Sequence, residues 1–318
     1  MARAQESWNG FIGQRHFVHG IDRLINGSRA RGELFPNSLL PGNSGLGKTR
    51  FCKILAGKIG TKLHQLMGHK DVTLLTIGLS AQGWADGDVL FIDEGHLLSH
   101  EVQECLYRII DERQGPRIEN HPATGQPALN GSIKVAAVTI LLATDQAGSL
   151  LPALKKRFAQ TYEFQPYTPP EMIAIVRQRA TEKGMLLKPH AARLVAQSSR
   201  GIPRTAGHRL DCLAKYWGEA NPSVFTTGHV RRFLHSVGMD VHGLGTVDRA
   251  FMRFLFERGE LGASLRMLAA KLCLDPRYLA ADVEPILIQK NFINIAPKGR
   301  SLTAAGEEYV RTLKEPTS

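Results

Sequence analysis

The sequence predicts an α/β fold, with a parallel sheet in the first half of the chain, a helical lid domain after it and a winged helix at the end. Short apolar runs alternate with helical patterns in the first half, which is typical of βα units around a parallel sheet. From Thr168 the pattern is helical, and the chain closes with short helices and a basic hairpin. These observations predict domains at residues 1–166, 167–238 and 239–318.

Four short apolar segments are the candidate strands of the sheet. The segment around Val89–Ile92 is apolar throughout, as expected of a strand that helices cover on both faces. The candidate strands are Ser38–Leu40, Leu63–Met67, Asp88–Ile92 and Ile133–Leu142.

The second half predicts helices, a linker and a hairpin. Thr168 followed by two prolines and Glu171 indicates a helix N-terminus. Further helical patterns cover Ala191–Ser199 and Arg204–Trp217. The glycine-bearing, aperiodic segment Met239–Gly245 predicts a linker, and Phe292–Leu302 predicts two strands around a basic Pro-Gly turn.

The composition is that of a globular protein with a basic surface. Hydrophobic residues make up 43% and charged residues 22%, and the formal net charge is +11. This charge favours polyanionic partners, nucleic acid first. No apolar run approaches the roughly 18 residues of a membrane helix, no signal-peptide core is present, and the four cysteines form no CxxC pair. We therefore expect a cytoplasmic protein.

An eight-residue segment matches G-x-x-x-x-G-K-[ST] at each fixed position and lies between a candidate strand and a helical pattern. Glycines let backbone N–H groups surround phosphates, the lysine reaches the β and γ phosphates, and the threonine ligates magnesium. The helix that follows adds its positive N-terminal end. The candidate ATP-binding residues here are Gly42, Asn43, Ser44, Gly45, Leu46, Gly47, Lys48 and Thr49.

A second motif follows about 40 residues later, where an apolar strand ends in two carboxylates, Asp93 and Glu94. Asp93 can hold magnesium together with Thr49, and Glu94 can polarise the water that attacks the γ phosphate. Acids at this place also cap helices, but their distance from the phosphate-binding segment favours hydrolysis of a nucleoside triphosphate.

Two arginines follow both nucleotide motifs. A planar guanidinium suits the charge that develops on a transferred phosphate, and Arg157 at a subunit edge would act on the neighbour's nucleotide. Arg204 opens a helix after Gly201-Ile202-Pro203 and could contact the same nucleotide from the lid.

This order of motifs resembles an AAA+ ATPase, and specifically the RuvB family, the hexameric motor of Holliday-junction branch migration. Phe11–Gln14 is similar to the family's N-terminal Gly-Gln box, and Asp93–Ser99 to its Walker B signature. The resemblance implies that Arg157 is the arginine finger, Arg204 the sensor 2 arginine and Tyr167 a contact of the adenine base. Segments of residues 247–300 resemble the family's winged helix, so the likeness covers nearly the whole chain.

The chain departs from the family pattern around the catalytic motif. The sensor 1 position, a neutral residue in the family, is the carboxylate Asp145, which repels the γ phosphate unless a cation or proton compensates it. Either Thr144 positions the phosphate instead or turnover is slow. Gly95 stands where the family has a bulky apolar residue, and we expect it to loosen the turn after Glu94. His96 has no metal-site spacing with other histidines.

Two surfaces that the family uses for its partners also differ. Residues 115–132 stand where the family has an apolar hairpin that docks its partner RuvA, but three prolines and few β-branched residues predict no regular apolar hairpin. In the wing, Ile295 replaces a basic residue, whereas Lys298 and Arg300 remain and Arg277 lies beside another basic position. We expect the last three to contact DNA phosphates.

The sequence thus predicts a ring-forming, ATP- and Mg²⁺-dependent DNA motor that drives branch migration or translocation. One alternative is a nucleotide-dependent recruiter in which Asp145 slows hydrolysis and ATP holds a DNA-bound assembly. Another is a clamp-loader-like AAA+ adaptor, which requires a protein-binding surface in place of the wing.

Overall fold

The computed structural model of the chain describes residues 8–122, 124–218, 222–297 and 299–313. The chain forms two compact units. The first extends to Glu171 and includes Ile202–Arg204, and the second contains Met172–Gly201 and the residues from Thr205 onward. The three-domain division at 1–166, 167–238 and 239–318 stays a prediction.

A parallel sheet forms the centre of the first unit, as predicted. Its strands are β1 (Ser38–Pro41), β2 (Leu63–Met67), β3 (Val89–Asp93), β6 (Thr139–Thr144) and β7 (Gln160–Thr161), in the spatial order β2-β3-β6-β1-β7. The inner strands β3 and β6 are buried almost throughout because helices cover both faces of the sheet. Parallel pairing brings the carboxyl ends of β1, β3 and β6 to one edge.

Helices surround this sheet and supply its core. They are α1 (Arg15–Ala30), α2 (Lys48–Ile59), α3 (Leu74–Ala81), α4 (His100–Glu112) and α5 (Pro152–Lys155). Val102 and Leu106 of α4 are fully buried with the β3 and β6 side chains, and Phe51 and Leu55 of α2 are fully buried as well. Among the described residues, no helix is both long and apolar enough to cross a membrane.

The structure corrects two sequence predictions around residue 133. The candidate strand Ile133–Leu142 is two elements, because its first two residues end β5 (Pro127–Lys134) and the sheet strand begins only at Thr139. The segment expected to form no regular apolar hairpin does form a hairpin, in which β5 pairs antiparallel with β4 (Gln114–Asn120) with a register shift.

The prolines of this hairpin occupy positions that a strand tolerates. The register shifts between Pro116 and Ile118, and Pro127 is the first residue of β5. The hairpin is nevertheless not apolar, since Leu129 and Ile133 are the large hydrophobic side chains that β5 exposes among polar neighbours. The lack of an apolar face on this hairpin is therefore as expected, but the prolines do not prevent β4 and β5 from pairing.

The described residues of the second unit are helical apart from one hairpin, which confirms the predicted helices of the second half. Its helices, of which the first turns of α6 and α8 belong to the first unit, are α6 (Pro169–Glu182), α7 (Pro189–Ser198), α8 (Pro203–Trp217), α9 (Thr227–Ser236), α10 (Thr246–Arg258), α11 (Leu265–Leu272), α12 (Pro276–Tyr278), α13 (Glu284–Gln289) and α14 (Ala304–Thr312). A π-helical turn, Leu279–Val283, joins α12 to α13.

The winged helix has its own core and its predicted hairpin. The fully buried Phe251 of α10 and Leu268 of α11 pack with Leu287 of α13. Strands β8 (Ile293–Ala296) and β9 (Gly299–Leu302) pair antiparallel beside them. Three helices followed by a hairpin are the order in which a winged helix is built, so the predicted fold class is confirmed for this part of the chain.

The segment predicted as a linker, Met239–Gly245, is irregular but tightly held. The Asp240 carboxylate accepts backbone hydrogen bonds from His242 and Leu244 at 2.8 Å and also pairs with the Tyr309 hydroxyl. Asp248, one turn into α10, binds the guanidinium of Arg200. Within the second unit the segment is therefore anchored at both ends and is not a free tether.

Candidate nucleotide site

The predicted phosphate-binding segment forms a loop between β1 and α2, with glycines at its tight points. Gly42, Gly45 and Gly47 all have positive φ angles, of 143°, 84° and 98°. A Cβ on Gly42 would lie 2.6 Å from the Phe164 carbonyl oxygen, and one on Gly45 would lie 2.9 Å from Cβ of Arg204. Because side chains are excluded at these positions, backbone N–H groups can approach a phosphate.

Lys48 is held inside this loop. Its ammonium donates to the carbonyls of Gly42 at 2.5 Å and Asn43 at 3.0 Å. Burial lowers the pKa of Lys48 below its usual value, and the nearby carboxylates, Asp93 foremost, oppose this shift. Because its hydrogen bonds go to two neutral carbonyls, the Lys48 ammonium can readily exchange them for phosphate oxygens.

The two candidate magnesium ligands lie side by side. The Thr49 hydroxyl donates to one Asp93 carboxylate oxygen at 3.3 Å, and the Glu94 N–H donates to the other at 3.1 Å. Hydroxyl and carboxylate oxygens are hard donors of the kind that Mg²⁺ prefers, so this pair fits the ion that the motif implies. Glu94 follows immediately, in the left-handed backbone region at φ 51°.

A cluster beside Glu94 contains the sensor 1 carboxylate. Nδ1 of His96 lies 3.6 Å from a Glu94 oxygen, 3.4 Å from an Asp145 oxygen and 3.2 Å from the Thr144 hydroxyl. The two carboxylates and the imidazole each offer a ligand atom within 4.8 Å of the others. Thr144 is fully buried, and its hydroxyl also accepts the Gln146 N–H at 3.0 Å, so its oxygen is fixed at the end of β6.

The Gly-Gln box contacts Tyr167, which in turn contacts the phosphate-binding loop. The Gln14 side chain is buried and makes two hydrogen bonds to the backbone of Gln165, at 2.7 and 3.1 Å. The buried Tyr167 hydroxyl donates to the Leu46 carbonyl at 2.8 Å, and a Cβ on Gly13 would collide with its ring. Tyr167, predicted to contact the base, thus lies at the phosphate-binding loop.

Arg204 also lies at the loop. Its guanidinium donates to the Ser44 hydroxyl at 2.9 Å, and its backbone N–H donates to the Gly45 carbonyl at 3.3 Å. The structure therefore brings together Arg204, Lys48 and Glu94 from distant parts of the sequence. This placement is what a residue that senses the nucleotide requires.

Arg157, the candidate arginine finger, is held on α4 of its own subunit. Its Nε and Nη2 both lie 2.6 Å from Asp111, and Nη1 donates to the Ala153 carbonyl at 2.6 Å. The guanidinium also lies 4.5 Å from the Tyr107 ring centroid, a cation–π contact. The side chain remains 29% exposed.

The three candidate DNA contacts differ in their surroundings. Arg277 is exposed at the start of α12 and lines a groove with Arg266. Arg300 forms a two-pronged ion pair with the buried Glu284, at 2.6 and 3.2 Å. Lys298 lies outside the described residues. Ile295, at a position where the resemblance implies a basic residue, is 50% exposed.

Sequence reasoning missed the side chains that hold these arginines and the one that joins the carboxylates. Asp111, Glu284 and Ser44 are partners that lie 46, 16 and 160 residues from their arginines, so no local pattern marks them. The spacing of His96 to other histidines gives no sign of its role. The usable signal is that His96 follows β3 and Asp145 follows β6, because these two strands are adjacent in the sheet and bring the two side chains together.

Two family models match the chain. The family model of the Holliday junction DNA helicase RuvB P-loop domain matches residues 3–164, and that of the RuvB C-terminal winged helix domain matches residues 241–311. The chain is 32% identical to the RuvB subunit of the Holliday junction branch migration complex of Paramagnetospirillum magneticum, over 98% of this chain and 89% of the relative.

Other relatives agree. The corresponding subunit of Fervidobacterium nodosum is 30% identical over 94% of this chain and 86% of its own length. Among solved structures, the Thermotoga maritima RuvB Holliday junction branch migration motor matches with a TM-score of 0.77 and 28% identity, covering 99% of both chains. The likeness therefore extends from the nucleotide loop to the winged helix.

Proposed function

The chain belongs to the RuvB family, and on that premise we propose that it is an ATP-driven motor acting on duplex or branched DNA. One observation carries the proposal: Lys48, Thr49, Asp93 and Glu94 converge at one edge of the sheet, in a chain that ends in a winged helix. The relatives are branch-migration subunits, which supports branch migration, and with it a role in DNA recombination and repair, as the activity of this chain.

The nucleotide is bound by the loop and its lysine. The N–H groups of the loop and the helix α2 N-terminus bind the phosphates, while Lys48 exchanges its carbonyl partners for β and γ oxygens. Thr49 and Asp93 would hold Mg²⁺, which neutralises phosphate charge when bound. Glu94 orients and polarises the attacking water, and Asp145 faces the same His96 nitrogen as Glu94 does.

The assembly is a ring, a hexamer by analogy with the family, in which each site is completed by its neighbour. Arg157 leaves Asp111 and stabilises the charge on the phosphate bound by the next subunit. Arg204, next to Ser44, couples the nucleotide to the lid, and Tyr167 supports the loop. The winged helix contacts DNA phosphates through Arg277 and Lys298, with Arg300 positioned between the wing and α13.

A RuvA-like partner is the other component that the family implies. The corresponding hairpin here exposes Leu129 and Ile133 among polar side chains instead of an alternating apolar face. We infer that any partner at this hairpin makes more polar contacts than an apolar hairpin would allow.

The test is steady-state ATP hydrolysis by the purified chain without DNA, with linear duplex and with a four-way junction. We expect hydrolysis that DNA stimulates, and Glu94→Gln should abolish it while ATP binding persists. Electron microscopy with an ATP analogue and a junction should show rings on DNA. Hydrolysis that no DNA alters would refute the motor.

Asp145 supports a second candidate, a slow-hydrolysing recruiter that stays bound to DNA in its ATP form. Its carboxylate lies within 4.8 Å of the Glu94 oxygen and adds negative charge where the γ phosphate binds. Asp145→Asn separates the candidates: a large rise in hydrolysis supports the recruiter, and an unchanged rate supports the motor. The clamp-loader-like adaptor instead predicts DNA affinity that is unchanged when Arg277 and Lys298 are both replaced by Ala.

A further inference from the structure

We propose that His96 is a positioning residue that carries a proton on Nδ1 between Glu94 and Asp145 and so offsets the carboxylate at the sensor 1 position. This inference rests on the proposed hydrolytic function. It concerns the side chain between the two carboxylates, and it is carried by three distances from one ring nitrogen, of 3.2, 3.4 and 3.6 Å.

The placement of His96 follows from the packing of the turn before it. A Cβ on Gly95 would collide with the side chain of Leu142, which is fully buried in β6. The turn Gly95–Leu97 therefore lies directly against β6, and the imidazole reaches the residues that end this strand. This corrects the expectation that Gly95 loosens the turn, since here glycine permits close packing.

The charges around the ring determine which nitrogen carries the proton. Nδ1 faces one oxygen of Glu94, one of Asp145 and the hydroxyl of Thr144, which already accepts a backbone N–H. A lone pair on Nδ1 would oppose both carboxylates, whereas an N–H there is attracted to both. The imidazole side chain is 9% exposed, compared with 25% and 35% for the carboxylates, so water competes little for that proton.

The arrangement has a consequence for hydrolysis. Glu94 and Asp145, together with Asp93, act on the Lys48 ammonium, and a triphosphate brings further negative charge to the same place. An N–H near both carboxylates attracts both and holds them at a fixed separation. Glu94 keeps its position as the base, and Asp145 repels the γ phosphate less than an uncompensated carboxylate would.

A divalent transition metal is the competing explanation of the same cluster. One imidazole and two carboxylates are an acceptable ligand set for zinc or manganese. The N–H interpretation is favoured because it accounts for the 3.2 Å hydrogen bond between Nδ1 and the Thr144 hydroxyl without an added ion. Calorimetric titration with zinc or manganese distinguishes the two explanations.

The decisive experiment is a double-mutant cycle of His96 and Asp145 in the full-length chain, with kcat and KM for ATP measured separately. We expect His96→Ala to lower kcat by about tenfold, a coupling of the size found for contacting charged groups. We expect Asp145→Asn to reduce the effect of His96→Ala to about twofold when both are combined, a coupling of the size found for contacting residues. His96→Asn, whose amide N–H lies near the position of Nδ1, should retain more activity than His96→Gln.

His100, exposed at the start of α4, supplies the matched control, and His100→Ala should leave both constants unchanged. Circular dichroism and thermal unfolding of each variant distinguish a folding defect from the loss of the positioning that His96 provides. Effects of the two substitutions that simply multiply, or equal activities of the Asn and Gln variants, would overturn the proposal.

Two measurements stand apart from activity, so failure here is distinguishable from failure of the ATPase itself. Nitrogen-15 NMR of the histidine side chains should show a protonated Nδ1 for His96, and Asp145→Asn should shift that signal. An unprotonated Nδ1 would overturn the proposal. Titration with zinc chloride or manganese chloride by calorimetry should show no site that depends on His96, and micromolar binding lost in His96→Ala would replace the proposal with a metal site.

Discussion

Replacing Arg300 by Ala should destabilise the winged helix more than it weakens DNA binding. Arg300 follows the wing turn, where the resemblance predicts a DNA contact, yet its guanidinium forms a two-pronged pair with Glu284 at 2.6 and 3.2 Å. The side chains of the pair are only 19% and 6% exposed. The substitution removes the cation and leaves the Glu284 carboxylate at the start of α13 without its ion-pair partner.

The magnitude follows from this burial. Breaking a buried ion pair from one side costs about 3–5 kcal/mol, because the remaining charge is left uncompensated. Since Arg300 is partly exposed and water can reach the cavity that it leaves, we expect a loss of about 3 kcal/mol, at the lower end of this range. Arg300→Lys keeps the charge but loses the planar fork, so its loss should be smaller.

Hydrogen exchange of the full-length chain is the suitable assay, because it reports opening of the winged helix separately from the rest. Amides of β8, β9 and α13 should exchange roughly a hundredfold faster in Arg300→Ala, the factor that about 3 kcal/mol gives. Arg277→Ala, on the exposed surface, is the control and should weaken DNA binding while leaving exchange unchanged. Unchanged exchange in Arg300→Ala together with lost DNA affinity would refute the reasoning and make Arg300 a direct DNA contact.

Three further outcomes test other parts of the first unit. Gly42→Ala should lower ATP affinity at least tenfold and destabilise the chain by about 1–2 kcal/mol in urea unfolding, because its φ of 143° and its close backbone neighbour exclude a side chain. Asp111→Asn should raise hydrolysis about twofold and cost less than about 1 kcal/mol of stability, because Arg157 no longer has to leave a partly exposed carboxylate; a lower rate would contradict this. Burial raises the pKa of Cys105 to about 11, so mass spectrometry should find it unmodified by iodoacetamide at pH 8 while the exposed Cys212 reacts; alkylation should begin only as the pH approaches 11.

The elements that sequence predicts well here are those that local patterns determine. The loop Gly42–Thr49 requires glycines at fixed places, and its strand and helix follow directly on either side. The strand before Asp93 is apolar on both faces, and the Thr168 cap precedes α6 as expected, with Glu171 accepting from the Thr168 N–H and hydroxyl at 2.8 Å. Each of these signals spans only a few residues.

The hairpin of β4 and β5 shows where local reasoning fails. Proline removes one donor and fixes one φ angle, but it prevents pairing only where the partner strand needs that donor. Pro116 lies at the register shift and Pro127 at a strand end, so neither interrupts the ladder. Deciding this from sequence would have required the register, which depends on the partner strand.

The arginines show why the candidate site could be located from the sequence but not completed. The same pattern, a cation that follows a recognised motif, predicts phosphate contacts for Arg157, Arg204 and Arg300. In the structure each meets a side chain of its own unit: Asp111, Ser44 and Glu284 respectively. Whether a guanidinium is available to a phosphate depends on how strongly that partner holds it.

The three pairs differ in this respect. A hydroxyl releases its arginine at little cost, and a carboxylate at an exposed edge does so at moderate cost. A buried carboxylate does not release its arginine, because it would be left with a charge that water cannot solvate. By this ordering we expect Arg204 to respond to a nucleotide most readily and Arg157 to move only if a neighbouring subunit offers a stronger anion. We expect Arg300 to stay with Glu284 and to support the wing.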